Sequence, residues 1–170
     1  MRAVNMTDYV RYIDRTRDYY LSQGYAKPYQ WAQFDDVPFT PLSKRLAECR
    51  AVLVSTSDVA VRADGGERDK SHEMLVGSAY SIPTETPLEK LYSRQEHYDQ
   101  HATHLDDVNT YFPVTRLQEK VDDGRLRSLA PRCHGVYTAY SQERTLEVDA
   151  PEVLRRCRED EVDIAVLTPV

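Results

Sequence analysis

Two uninterrupted apolar runs, Ala51 to Val54 and Ile164 to Leu167, stand out against an otherwise mixed pattern of apolar and polar positions. Continuous rather than alternating apolar character marks a strand covered on both faces, as in a parallel sheet. The first run opens into Ser55-Thr56-Ser57-Asp58, a polar loop at the strand's carboxyl end, which is the edge where open α/β sheets bind ligands. The second follows a helix whose start is marked by Asp149-Ala150-Pro151-Glu152 and whose Val153, Leu154 and Cys157 are expected to point inward.

Helical spacing recurs elsewhere. Val10, Ile13, Tyr20 and Leu21 predict a helix over Thr7 to Gln23, closed by Gly24. Thr40-Pro41 starts a short helix carrying Leu42, Leu46 and Cys49 on one side, and Thr115 to Gln118 has the capping-box pattern before Leu117, Val121 and a closing Gly124. Leu129 to Tyr140 reads as a strand passing into a loop. Tyr25, Tyr29, Trp31 and Phe34, set without a period among Pro28 and Pro38, suggest an ordered loop held by ring packing, and Arg62 to Lys70 reads as a charged surface loop. Together these elements predict one α/β domain over residues 1–170, with an N-terminal helical arm over about 5–48. The expected architecture has three layers: a mostly parallel sheet with helices on both faces, incomplete at its C-terminal end.

Composition narrows the function classes. At 170 residues, 41% hydrophobic and 29% charged, the chain can bury a globular core. A net charge of −6 leaves no basic excess for phosphate backbones, so nucleic acid is not an expected partner. The N-terminus has no signal-type apolar region, and no stretch reaches the roughly 18 apolar residues of a membrane span, so the expected location is the cytoplasm. Three cysteines, Cys49, Cys133 and Cys157, without paired spacing fit reduced thiols. Twelve tyrosines against three phenylalanines point to half-buried rings with wet hydroxyls.

The ionisable chemistry concentrates in two places. His97, His101 and His104 would share a face on a helix, with Asp99, Asp106 or Asp107 as oxygen ligands, which is a weak metal arrangement; a solvated polar segment is the alternative. Cys133 and His134 are adjacent, and alternation on a strand sends them to opposite faces, so His134 does not act as base for Cys133. Either Cys133 is a thiol at a strand edge, activated by Arg127 or Arg132, or it is a small buried residue followed by a surface histidine. No glycine-rich phosphate loop and no Gly-x-Ser-x-Gly elbow occurs, which disfavours nucleotide and flavin cofactors and serine hydrolysis and leaves the cofactor open.

Several stretches, in order, resemble the selenoprotein B family of glycine/sarcosine/betaine and D-proline reductases. They are residues 11–44, Ala51 to Val59, Ile82 to Pro87, His97-Tyr98-Asp99, Asp107-Val108-Asn109 with Phe112-Pro113 and Arg116-Leu117, Gly124 to Gly135, and Val162 to Val170. The resemblance implies reductive cleavage of an amino-acid or amine substrate inside a hetero-oligomer, in which a selenol or thiol attacks and a second thiol resolves the product. It implies that His97, Tyr98, Asp99, Asp107 and Asn109 lie on the active-site side, with Ser55 and Thr56 on the same edge. The family's cysteine- or selenocysteine-bearing loop would follow the terminal strand, and this sequence ends before it.

The expected function is therefore a subunit of a reductase-like enzyme acting on a small amino-acid-derived substrate. Cys133, His97, Asp99 and His134 are the catalytic candidates, and Ser55, Thr56, Tyr98, Asp107, Asn109 and Arg132 are the substrate-binding ones. A second polypeptide, or self-association through the C-terminal strand, is the expected partner. The alternatives are a non-catalytic subunit that completes a partner's fold and a metal-dependent enzyme using His97, His101 and His104.

Overall fold

A computed structural model describes residues 11–27, 34–37, 40–62, 79–95, 98, 101, 103–137 and 141–169. The chain divides into two compact units, Met1–Phe39 and Thr40–Val170, so residues 40–48 go with the sheet and not with the arm.

In the first unit, α1 (Tyr12–Ser22) buries none of its residues. Gly24 adopts φ +84° and ends it as the sequence predicts, because the left-handed conformation costs glycine nothing. Tyr20 packs edge-on against Tyr19 and Tyr25, with centroids 5.8 and 5.4 Å apart. Phe34 is exposed, and Val10, Tyr29 and Trp31 lie outside the described residues.

The second unit has an α/β fold built on β1 (Arg50–Ser55), which is buried on both faces as its apolar run requires. It pairs in parallel with β5 (Ser128–Leu129) at its start, with β6 (Arg132–Val136) at its end, and with β7 (Ile164–Thr168) from Ala51↔Ile164 to Ser55↔Thr168. On the far side of β6, β3 (Ala79–Pro83) runs antiparallel. β2 (Val59–Val61) and β4 (Leu91–Ser93) form a separate antiparallel ribbon.

Alternation along β1 splits the core in two. Leu53 packs with Ile82, Tyr80, Cys133, Phe112, Val114 and Leu117, which brings α2 (Val114–Asp122) onto one face. Val52 and Val54 pack with Ala130, Val153 and Cys157, which brings α4 (Ala150–Glu159) onto the other. Helices on both faces of a mostly parallel sheet are thus in place. No described helix is long and apolar enough to cross a membrane.

Four local expectations fail for physical reasons. No helix starts at Thr40; a 3-10 turn, Leu46–Glu48, is all that forms, because Leu42 and Leu46 find no core to face and stay exposed. Thr115 does not cap α2: the helix already begins at Val114, and the Thr115 hydroxyl donates to Asn109 Oδ1 at 2.7 Å. The last helix begins at α3 (Gln142–Arg144), capped by Ser141, and runs through a π-turn (Thr145–Asp149) into α4, so Asp149 sits within it and Leu154 faces solvent. β7 is not a buried strand: among the described residues it pairs with β1 alone, its residues alternate half-buried and exposed, and Leu167 is 70% exposed.

Candidate functional site

The carboxyl end of β1 is tied down by two serines. Ser55 Oγ lies 2.7 Å from Ser57 Oγ, 3.0 Å from the Tyr111 carbonyl and 3.2 Å from the Thr168 carbonyl, and accepts from the Ser57 backbone N–H at 3.2 Å. Both serines are sealed from solvent. Ser55, expected to line a pocket, instead joins β1, β7 and the segment around Tyr111 through hydrogen bonds that a buried hydroxyl must make. Thr56 is half-buried, and its backbone N–H donates to the Thr168 carbonyl at 3.3 Å.

The chain then turns through Asp58, which takes a positive φ of 49°, a strained setting for a non-glycine residue. Its buried carboxylate forms an ion pair with Arg94 just past β4, and the Arg94 backbone N–H donates to the Asp58 carbonyl at 3.0 Å. Ser93 Oγ donates to the Ser57 carbonyl at 2.5 Å. The β2–β4 ribbon is thereby fixed against the sheet edge. Tyr80 lies over Gly135, and its phenol is pushed well above the ordinary tyrosine range, first by burial and then by the Asp58 charge.

Between the ribbon and residues 105–111 opens a cleft of about 500 Å³. Leu88, Leu91, Leu105, Val108 and Tyr111 provide apolar wall, while Arg62, Glu89, Asp106 and Asp107 bring charge. The Arg62 guanidinium sits 4.6 Å over the Tyr92 ring. Asp107 accepts from the Asn109 backbone N–H at 2.9 Å and so starts the 3-10 turn Val108–Thr110, while Asn109 itself is held to α2 by Thr115. Of the predicted residues Asp107 lines this cleft; residues 55–58 do not, and Ser55 and Ser57 are tied to its wall only through the Tyr111 carbonyl.

The third predicted stretch does not line the cleft either. Cys133 is buried in the α2-side core, its thiol 3.5 Å from Thr84 Oγ1, and burial pushes its pKa above the ordinary thiol value. Arg132 points to the other face, where it pairs with Glu159 at 3.0 Å and Asp160 at 2.7 Å. Strand alternation is the reason, and the electropositive, partly exposed setting expected for Cys133 is not found.

His134, expected at the surface on one reading, is buried under α4. Ser81 Oγ accepts from Arg156 Nη1 at 2.9 Å and shares a hydrogen bond with His134 Nδ1 at 3.0 Å. His134 Nε2 is a buried atom with no partner among the described residues. Burial, followed by the charges of Arg132 and Arg156, lowers the His134 pKa to about 4.

His97 and Asp99 lie outside the described residues, and Tyr98 is half-buried. His104 is exposed beside Asp106 at 3.5 Å, and His101 is exposed. Among the described residues no group of three or more metal-ligating side chains is assembled. Arg62, Tyr92 and Tyr111 carried no local signal, since the pairing of β2 with β4 brings the first two together and the separate turn before Tyr111 adds the third.

No family model matches the chain, and no solved structure matches it. Over 132 residues, 76% of the chain, it is 25% identical to the D-proline reductase subunit gamma of Acetoanaerobium sticklandii, of which the match covers 52%. The chain spans about half the length of the curated relative it matches.

Proposed function

We propose that this chain is a subunit of a reductase that cleaves a small amino-acid-derived substrate, D-proline or a related amine acid, and that it supplies the binding side of the site. Reductive cleavage breaks a C–N bond, delivers two electrons and two protons across it, and oxidises two chalcogen groups to a disulfide or a selenosulfide. The observation that carries the reading is that a chain similar to a reductase subunit has a cleft of mixed charge while all three of its cysteines are buried, none of them lining that cleft. Burial raises the pKa of both Cys133 and Cys157, and a buried neutral thiol is a poor nucleophile. The attacking group is therefore assigned to another polypeptide.

β7 supports a protein partner, because among the described residues it pairs with β1 alone, and a strand edge of this kind with Leu167 exposed invites pairing by a further strand, from that polypeptide or from a second copy. By resemblance, His97, Tyr98, Asp99, Asp107 and Asn109 belong to the active-site side, with His97 and Asp99 as the catalytic candidates among them. Affinity purification of the tagged chain from its native host, followed by dithiol-dependent turnover of D-proline, glycine, sarcosine and betaine, tests the reading. The expected result is a co-purifying selenol- or thiol-bearing subunit and turnover of at least one substrate. A chain recovered alone, with no turnover, contradicts it.

A further inference from the structure

Resting on that reading, we infer that Arg62, seated on Tyr92, is the carboxylate-binding residue of the cleft and selects substrates bearing a carboxylate beside an amine. The Arg62 backbone is pinned by its N–H, which donates to the Lys90 carbonyl at 2.7 Å across the ribbon. Its guanidinium stands 4.6 Å above the Tyr92 ring. A guanidinium over an aromatic face is held by its charge, which leaves its N–H donors for an acceptor. No ion pair of Arg62 forms among the described residues, although three acids share the cleft.

Two of those acids, Asp106 and Asp107, have other contacts. Asp106 lies 3.5 Å from His104, and Asp107 caps the turn beneath it while remaining exposed. Burial and a backbone hydrogen bond dominate the environment of the Tyr111 phenol, and the charges of Arg62 and Asp107 then act on it in opposite senses. Both charges therefore reach the same point of the cleft. A small zwitterion fits this order of groups: carboxylate on the Arg62 fork, amine toward Asp107, and hydrocarbon body against Leu88 and Leu105. At about 500 Å³ the cleft falls within the roughly 300–1,000 Å³ usual for small-molecule sites.

The test titrates the 15N-labelled 170-residue chain with D-proline and with pyrrolidine, its analogue lacking the carboxylate, reading the amides of Leu105 and Val108. D-Proline is expected to give saturable shifts, and pyrrolidine none. Arg62→Gln is expected to weaken D-proline by at least about tenfold, with Arg62→Lys between the two, because lysine keeps the charge and loses the fork. Equal binding by Arg62→Gln, equal binding of pyrrolidine, or no saturable shift overturns the inference. Turnover of D-proline by the native complex, with binding indifferent to Arg62→Gln, removes the inference and leaves the reductase reading. Arg62-dependent binding without turnover of any amine leaves the carboxylate site and removes the reductase reading.

Discussion

The Cβ that Gly135 lacks would stand 2.0 Å from Cζ of Tyr80, so the tyrosine ring occupies the space above β6 that any other residue would claim. This contact sets the position of the ring beside Asp58 and Arg94, and through them the seating of the β2–β4 ribbon that forms one wall of the cleft.

Gly135→Ala is accordingly expected to destabilise the chain by about 1–3 kcal/mol, the usual range for overpacking a filled core. Urea unfolding measures it. Adding Tyr80→Ala should cost less in the Gly135→Ala background than in the wild type, because the clash is relieved. An unchanged unfolding midpoint in Gly135→Ala would mean the ring does not lie there.

His134 predicts a pH dependence. Its folded pKa is near 4 against an ordinary 6.5, so between these values the unfolded chain binds a proton that the folded chain does not. Stability contributed by neutral His134 is therefore full above about pH 6.5, falls as the pH drops, and is lost by about pH 4, a change on the order of 3 kcal/mol. His134→Gln should flatten that part of the stability profile. A profile of the same slope in the variant would assign the proton to another group.

How far this was legible in the sequence depends on the range of the interaction concerned. The unbroken run Ala51 to Val54 identified a doubly covered parallel strand because burial on both faces is written into consecutive residues. Gly24 and Gly124 marked helix ends for an equally local reason, their positive φ values of 84° and 69°. Ile164 to Leu167 carries the same apolar signal as β1 yet is only half covered, because a run of residues does not state how many neighbours it will find, and among the described residues β7 pairs with β1 alone. The grouping of Arg62, Tyr92 and Tyr111 arises from the register Val61↔Leu91 and from a turn some 20 residues later. No local pattern records it.

His97→Ala and Asp99→Ala are expected to abolish turnover of the complete assembly while shifting unfolding by no more than about 1 kcal/mol, as polar residues with a chemical role do. Steady-state assays and thermal melts of the same samples check both parts. Turnover retained in both variants would take these residues out of the active site.

Alkylation reads the state of the thiols. With Cys49, Cys133 and Cys157 all buried, a maleimide at neutral pH is expected to label the native chain slowly and without preference for Cys133, and to label all three promptly after denaturation. Peptide mass spectrometry reports the order. Rapid native labelling at Cys133 would show a reactive thiol that the buried setting excludes.

The proposed division of labour between this chain and a second polypeptide is tested most directly by the turnover of the native complex carrying Cys133→Ala. If the attacking chalcogen belongs to another polypeptide, kcat for the reduced amine stays within about twofold of the wild-type complex, apart from any loss of folded protein. Abolished turnover in a complex that still assembles and melts normally would place the nucleophile on this chain and contradict the account.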